Sequence, residues 1–322
     1  MKAIIGERYG PPEKALQLRD IEKPVPEEGQ VLLKVHAASV NISDYYGVTG
    51  FSRLFGSGMR KPKDPRWGSD VAGTVESVGP KVTRFRPGDE VFGTGAGSFA
   101  EYTEAKEARL ALKPGNVSFE EAAAVPVAGL TALQCLWDKG RVQSGQDVAV
   151  NGASGGVGTF AVQIAKSFGA GVTGVCSTRN LDQARSIGAD HVVDYTREDF
   201  TRDGRSYDLI CDVAGNRSVS DYKRALKGGG TCLIVGFSGN PLLGLVKFWI
   251  LGRLGSMTGN KTVKIMGIAK INAEDLGLMA GLLSTGKVKP VIEARYPLEE
   301  TAKALQYIGG KHTRGKVVIT VS

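Results

Sequence analysis

The sequence predicts a two-domain α/β protein, a small β-barrel or sandwich joined to a doubly wound parallel sheet, on three observations. The chain has 322 residues, more than one compact domain usually holds. Up to residue 118 it offers short apolar runs broken by Gly and Pro, whereas from 147 apolar runs alternate with helix-patterned ones. Glycine, at 44 residues, is about twice its ordinary share with no collagen-like period, which implies many tight turns and close backbone approaches.

Each element follows from local pattern. MKAIIG opens a strand, and QVLLKVHAASV (30–40) alternates strongly enough for another. DVAGTVESVGP (70–80), DEVFGTG (89–95) and GSFAEYTEA (97–105) read as short strands of a barrel or sandwich. The character changes at Ser118, which with Glu121 forms a capping box before the helical run EAAAVPVAGLTALQCLWDKG. Then come strand DVAVNG, helix GVGTFAVQIAKSFG, strand GVTGVCS, helix NLDQARSIG and strand HVVDY. Strand YDLICDVAG, helix SVSDYKRALKGG, strand GTCLIVGFSG, strand TVKIMGIA and a helix around 273–285 continue the series. Such alternation means βαβ units and a parallel sheet. The tail returns to strand, helix and strand and is expected to rejoin the first domain.

Several classes are excluded by composition. With 42% hydrophobic and 23% charged residues the chain is neither disordered nor fibrous. The net charge of +8 would suit an anionic partner, but the basic residues are scattered and no nucleic-acid module is present. Cys135, Cys176, Cys211 and Cys232 form no C-x-x-C pair, and His36, His191 and His312 form no metal-binding spacing. Reduced, buried thiols in a cytoplasmic protein are expected. The N-terminus lacks a signal-peptide core, and the most apolar stretch is too short to span a bilayer.

The sharpest signal is Asn151-Gly152-Ala153-Ser154-Gly155-Gly156-Val157-Gly158, set between a strand and an amphipathic helix. Glycines there allow a tight turn and close approach to a pyrophosphate, and the helix N-terminus presents unpaired N–H groups. Ser154, Gly155, Gly156 and Val157 are therefore candidate phosphate contacts, and the second domain reads as a Rossmann dinucleotide-binding domain. About 20 residues on, where an Asp or Glu would hold an unphosphorylated ribose, the chain reads Cys176-Ser177-Thr178-Arg179-Asn180. Hydroxyls and a guanidinium suit a 2′-phosphate. NADP(H) is expected, held by Ser177 and Arg179.

The whole chain resembles the medium-chain dehydrogenase/reductase superfamily, particularly its zinc-free quinone oxidoreductase-like branch. The resemblance rests on SVNISDYYGVTG (39–50), GSDVAGTVESVGPKVTRFRPGDEVFG (68–93), VPVAGLTAL (125–133), the glycine loop and HTRGKVVITV (312–321). It implies a GroES-like β-barrel catalytic domain at 1–123 completed by 289–322, a Rossmann domain at 124–288, and an active-site cleft between them. Zinc-dependent members carry a Cys, a G-H-E-x-x-G motif and a second Cys. Here the first position is Asn41, the motif reads Gly68-Ser69-Asp70-Val71-Ala72-Gly73, and the last ligand position is Val127. Asn, Ser and Val cannot supply a catalytic zinc site, so no metal is expected.

Without a metal, a hydride acceptor must already be polarised by conjugation, as in a quinone or an α,β-unsaturated carbonyl (enone). Donors must then stabilise the developing oxyanion, and a proton must be returned. The resemblance places Asn41, Ser43 and Tyr46 in the segment lining that pocket, with Ser43 at the proton-relay position of metal-dependent relatives. Tyr45 and Tyr46 can equally be barrel packing. The resemblance also implies cofactor contacts from Thr131, Tyr195, Ala214, Gly215, Val235, Gly236, Phe237 and Lys316, the last closing over the cofactor.

The leading reading is an NADPH-dependent quinone or enone reductase, a cytoplasmic homodimer acting on a small molecule, with no nucleic-acid partner. The alternatives are an alcohol dehydrogenase working without zinc and a non-catalytic NADPH-binding sensor or structural protein. The apolar segment 241–255, with Phe248 and Trp249, is expected to wall the acceptor pocket and contribute to a subunit contact. A membrane-surface role is disfavoured, because only Lys247 and Arg253 lie nearby.

Overall fold

A computed structural model describes residues 1–51, 61–236, 260–310 and 313–321. The contacts divide the chain into two compact units, Met1–Leu130 with Lys270–Gly286 and Pro290–Ser322, and Thr131–Ala269 with Lys287–Lys289. Phe237, His312 and the 241–255 segment with Phe248 and Trp249 lie outside the described residues.

The first unit is organised by the strand Gln30–Val40. One of its edges pairs antiparallel with Asp70–Val78 along nearly its whole length. The other edge is shared, residues 30–34 taking Tyr102–Lys106 and residues 37–40 taking Lys316–Thr320. Glu90–Thr94, Leu110–Leu112 and Ile292–Pro297 extend this seven-stranded mixed sheet. The alternating Val31, Leu33 and Val35, with Val71, Val91, Leu110, Val317 and Ile319, form a fully buried core. Gly73 sits beside a register shift in the central pair, where a Cβ would lie 2.2 Å from the Lys34 carbonyl. Only glycine permits that approach.

The second unit carries six parallel strands in the order His191–Asp194, Gly171–Cys176, Asp147–Asn151, Tyr207–Asp212, Leu226–Ile234 and Thr262–Ile265. The order reverses between Asp147–Asn151 and Tyr207–Asp212, which is where a doubly wound sheet opens to a ligand. Buried Ala149, Val175, Ile210, Cys232 and Ile234 hold one layer of its core. All four cysteines are free and buried.

Three local readings differ from expectation. The run after Ser118 divides into Phe119–Ala123 and Pro126–Gln134, because Pro126 lacks an N–H and biases Val125 away from helix. The capping box that opens it is present, Ser118 Oγ accepting from Glu121 N–H and the Glu121 carboxylate accepting from Ser118 N–H. Gln17–Asp20 is an added strand on Lys2–Ile5, fully exposed and therefore without alternation to read. The helix Ala273–Ser284 contacts Leu110–Leu112, so it clusters with the first unit although sequence spacing assigned it to the second.

Candidate active site and dinucleotide loop

In the first unit the strand register assembles a buried polar chain. Ser39 pairs with Asp70 and Val40 with Val317, so Asn41 and Lys316 are brought alongside one another at the strand ends. The Lys316 ammonium donates to Asn41 Oδ1 at 2.6 Å and lies 3.4 Å from Asp70 Oδ2. Asn41 Nδ2 donates to the same Asp70 oxygen at 2.9 Å, as does the Ser39 hydroxyl at 2.7 Å. The second Asp70 oxygen accepts the Val127 N–H at 3.0 Å. Asp70 and Lys316 are 0% and 3% exposed, so this ion pair is sealed from water. Burial lowers the Lys316 pKa from its ordinary value, against the opposing pull of the Asp70 and Asp44 charges.

The chemistry of the partners sets the Asn41 amide without ambiguity. An ammonium only donates and a carboxylate only accepts, so Oδ1 must face Lys316 and Nδ2 must face Asp70. One Nδ2 hydrogen is thereby used, and the same amide also lies within reach of the Asp44 carboxylate. Asn41 also opens the helix Ile42–Val48, where its backbone N–H donates to Asp44 Oδ2 at 2.8 Å. Burial pushes the Asp44 carboxyl up to about 7, helped by the Asp70 charge and opposed by the Asn41 N–H and Lys316.

The same short helix carries the other two candidates. Ser43 is exposed on its surface. Tyr46 is half-buried with its ring 5.3 Å from Phe51, while Tyr45 packs on the first unit's core and against Gly309. Lys316, expected to close over the cofactor, instead has its ammonium inside the first unit among Val40, Asn41 and Asp70. The strand pairing of Val317 with Val40 points it there.

In the second unit the loop 151–158 fits the phosphates of a dinucleotide. Gly152 takes φ +89°, and a Cβ on Gly158 would lie 2.0 Å from the Gly152 carbonyl. The helix Gly156–Ser167 has Gly155 as N-cap, which offers no side chain to cap it, and its first intrahelical bond runs from Thr159 N–H to Gly155 C=O. The amides of Gly156, Val157 and Gly158 thus precede the ladder and are open to an anion. Thr131 is half-buried on Pro126–Gln134.

At the ends of the neighbouring strands lie Ser177, half-buried, Arg179, exposed, and Tyr195, 47% exposed. The Asn180 amide donates to both Ser154 Oγ and Ser177 Oγ. Thr178, one of the hydroxyls expected for a phosphate, is instead committed to the Asp194 carboxylate, which also accepts from Thr196. These hydroxyls, Thr178 foremost, hold the Asp194 pKa below the usual range. Beyond Tyr207–Asp212, buried Asp212 fixes the turn carrying Ala214 and Gly215. It accepts from Gly215 N–H at 2.9 Å, Asn151 Nδ2 at 2.7 Å and the Tyr222 hydroxyl. Val235 and Gly236, both half-buried, follow the end of the next strand.

Comparison with known proteins agrees with this geometry. The alcohol dehydrogenase GroES-like domain family matches residues 27–115, and the zinc-binding dehydrogenase family matches residues 187–319. A chloroplast envelope quinone oxidoreductase homolog of Arabidopsis thaliana is 33% identical over 333 residues, spanning 99% of this chain and 98% of its own. The chain belongs to the medium-chain dehydrogenase/reductase superfamily, in its quinone oxidoreductase-like branch. The quinone oxidoreductase of Lama guanicoe is 33% identical over 340 residues, spanning 99% of this chain and 97% of its own. The solved quinone oxidoreductase of Coxiella burnetii superposes with a TM-score of 0.88 at 30% identity, over 100% of this chain and 99% of that one.

Membership makes this medium-chain dehydrogenase/reductase an oxidoreductase with a nicotinamide cofactor, which the open amides of the 151–158 loop fit. Among the described residues no group of three His, Cys, Asp or Glu side chains is arranged to hold a metal ion. Among them, too, no helix is long and apolar enough to cross a membrane. Sequence reasoning passed over Asp70, Asp44, Asn180 and Asp212. Asp70 did leave a signal, a carboxylate at the head of the apolar run Val71-Ala72-Gly73-Thr74-Val75 that needs a buried partner.

Proposed function

We propose that this oxidoreductase is zinc-independent and NADPH-dependent and reduces quinones or enones by hydride transfer. The carrying observation is the Lys316–Asn41–Asp70 chain. At the positions where zinc-dependent relatives keep metal ligands, Asn41 and Val127 both bond Asp70, whose charge is matched by Lys316. That arrangement supplies an oriented hydrogen-bond donor rather than a Lewis acid. The acceptor class also draws support from the quinone oxidoreductase names of the relatives.

When bound, the nicotinamide supplies a hydride. Asn41 then donates its second Nδ2 hydrogen to the acceptor's carbonyl oxygen, on which negative charge develops. Lys316 strengthens that donor by polarising Oδ1. Ser43 and Tyr46 line the acceptor pocket, and Asp44, with its pKa near neutrality, holds a proton beside Asn41. One hydride and one proton convert a quinone to its hydroquinone, or an enone to the saturated carbonyl. In the second unit Ser154, Gly155, Gly156 and Val157 hold the pyrophosphate, and Ser177 and Arg179 the 2′-phosphate. Thr131, Tyr195, Ala214, Gly215, Val235 and Gly236 serve the rest of the dinucleotide. A homodimer completes this reading.

The test is NADPH consumption with a quinone and with a short enone. Turnover with either supports the reading, whereas tight NADPH binding without turnover returns the sensor alternative. Purified protein should hold no stoichiometric zinc and keep its activity in chelators. One zinc per chain whose removal abolishes turnover would refute the metal-free mechanism.

A further inference from the structure

The adenosine end contains an asparagine with an unusual set of partners. Asn180 occupies the N-cap of the helix Leu181–Ser186, where an Asn side chain ordinarily accepts from its own helix. It makes no such bond. Its amide turns away, is 5% exposed, and donates both hydrogens across two loops, to Ser154 Oγ at 3.0 Å and Ser177 Oγ at 3.1 Å. Its Oδ1 is buried and meets no donor among the described residues. The reverse orientation would strand two N–H donors instead of one carbonyl oxygen, the costlier arrangement.

A serine hydroxyl that accepts a hydrogen bond still has one hydrogen to give. Among the described residues no acceptor takes the hydrogen of either Ser154 or Ser177. The two serines come from different strand ends, one in the glycine loop and one after Gly171–Cys176. One amide therefore turns both into donors, and donors are what phosphate oxygens require.

We propose that Asn180 is a positioning residue for coenzyme discrimination. By occupying the Ser177 and Ser154 oxygens it aims their hydrogens at phosphate, Ser177 at the 2′-phosphate monoester and Ser154 at the pyrophosphate. This rests on the NADP(H) reading. Of the two serine contacts only that of Ser177 is lost when NADH replaces NADPH, so Asn180 acts on the affinity ratio through Ser177.

The experiment is a double-mutant cycle on that ratio, with NADPH and NADH dissociation constants measured by calorimetry in full-length protein. Ser177→Ala and Asn180→Leu should each cut the NADPH preference about tenfold, the scale of one hydrogen bond to a charged group. The double variant should fall no further than either single one. A purely structural Asn180 would weaken both coenzymes equally, or its effect would multiply with that of Ser177→Ala, and either result overturns the proposal. Asn180→Ala runs the same cycle if the leucine variant does not fold, and failure of both to fold also overturns it. A wild-type ratio near one refutes the NADP(H) reading and the proposal together. A high wild-type ratio that Asn180→Leu leaves unchanged refutes the proposal alone.

Discussion

Asp70 in the first unit and Asp212 in the second are both 0% exposed, yet each unit stabilises its carboxylate differently. Asp70 faces a buried cation, with Ser39, Asn41 and the Val127 amide completing its shell. Asp212 meets neutral donors, the Tyr222 hydroxyl, the Asn151 amide and the backbone N–H groups of Ala214 and Gly215. Burial accordingly raises the Asp212 pKa despite those donors. An ion pair suits a place where a side-chain amide must keep one orientation. Neutral donors suit a turn whose backbone N–H groups are themselves held by the carboxylate.

The largest expected effect lies in the ion pair. Lys316→Met strands the Asp70 charge and should destabilise the protein by about 3–5 kcal/mol, read from denaturant midpoints. Adding Asp70→Leu should recover much of that loss, because a buried pair replaced by apolar groups costs far less than a broken one. If Lys316→Met alone stays within about 1 kcal/mol of wild type, the contrast between the two carboxylates fails.

Tyr222→Phe removes one neutral donor from Asp212 and should cost about 1–3 kcal/mol. Its sign with pH is fixed. A carboxyl whose folded pKa exceeds its unfolded value loses stability as pH rises between the two. Without the Tyr222 hydroxyl that gap widens, so the variant should fall away from wild type more steeply from acid toward neutral pH. Parallel curves would show that Asp212 does not titrate with folding.

Coenzyme choice gives a smaller effect, confined to the second unit. Arg179→Ala should weaken NADPH roughly tenfold to a hundredfold and leave NADH nearly unchanged. Equal losses for both coenzymes would remove Arg179 from the 2′-phosphate site.

The smallest effect concerns Asp44, whose carboxyl is pushed up to about 7. Wild-type melting temperature should decline as pH rises from about 4, the unfolded value, toward 7. Asp44→Asn should flatten that decline while still accepting the Asn41 N–H. An unchanged slope would assign the decline to other groups.

Both units were largely legible as elements, for different reasons. In the second, strand and helix periods alternate, so Asp147–Asn151, Gly156–Ser167 and Gly171–Cys176 could be read directly. In the first, Gln30–Val40 announced itself by alternation, whereas the exposed Gln17–Asp20 and the three-residue Leu110–Leu112 carried too little pattern. The glycine loop was legible because its chemistry is local. Its glycines and the residues between them lie within eight positions.

The polar chain was not legible in that way, because its members lie at 39, 41, 70, 127 and 316 and no spacing relates them. Sequence alone determined the two-domain α/β class and the phosphate loop, since these follow from local period and residue chemistry; Asn41, Ser69 and Val127 gained meaning only from the resemblance that puts zinc ligands there. Only the tertiary structure decided that Lys316 points inward to Asn41 and Asp70, and that Asn180 bonds both Ser154 and Ser177. The physical reason is that a buried donor or charge is forced to find a partner, and which partner it finds is set by strand register between distant segments.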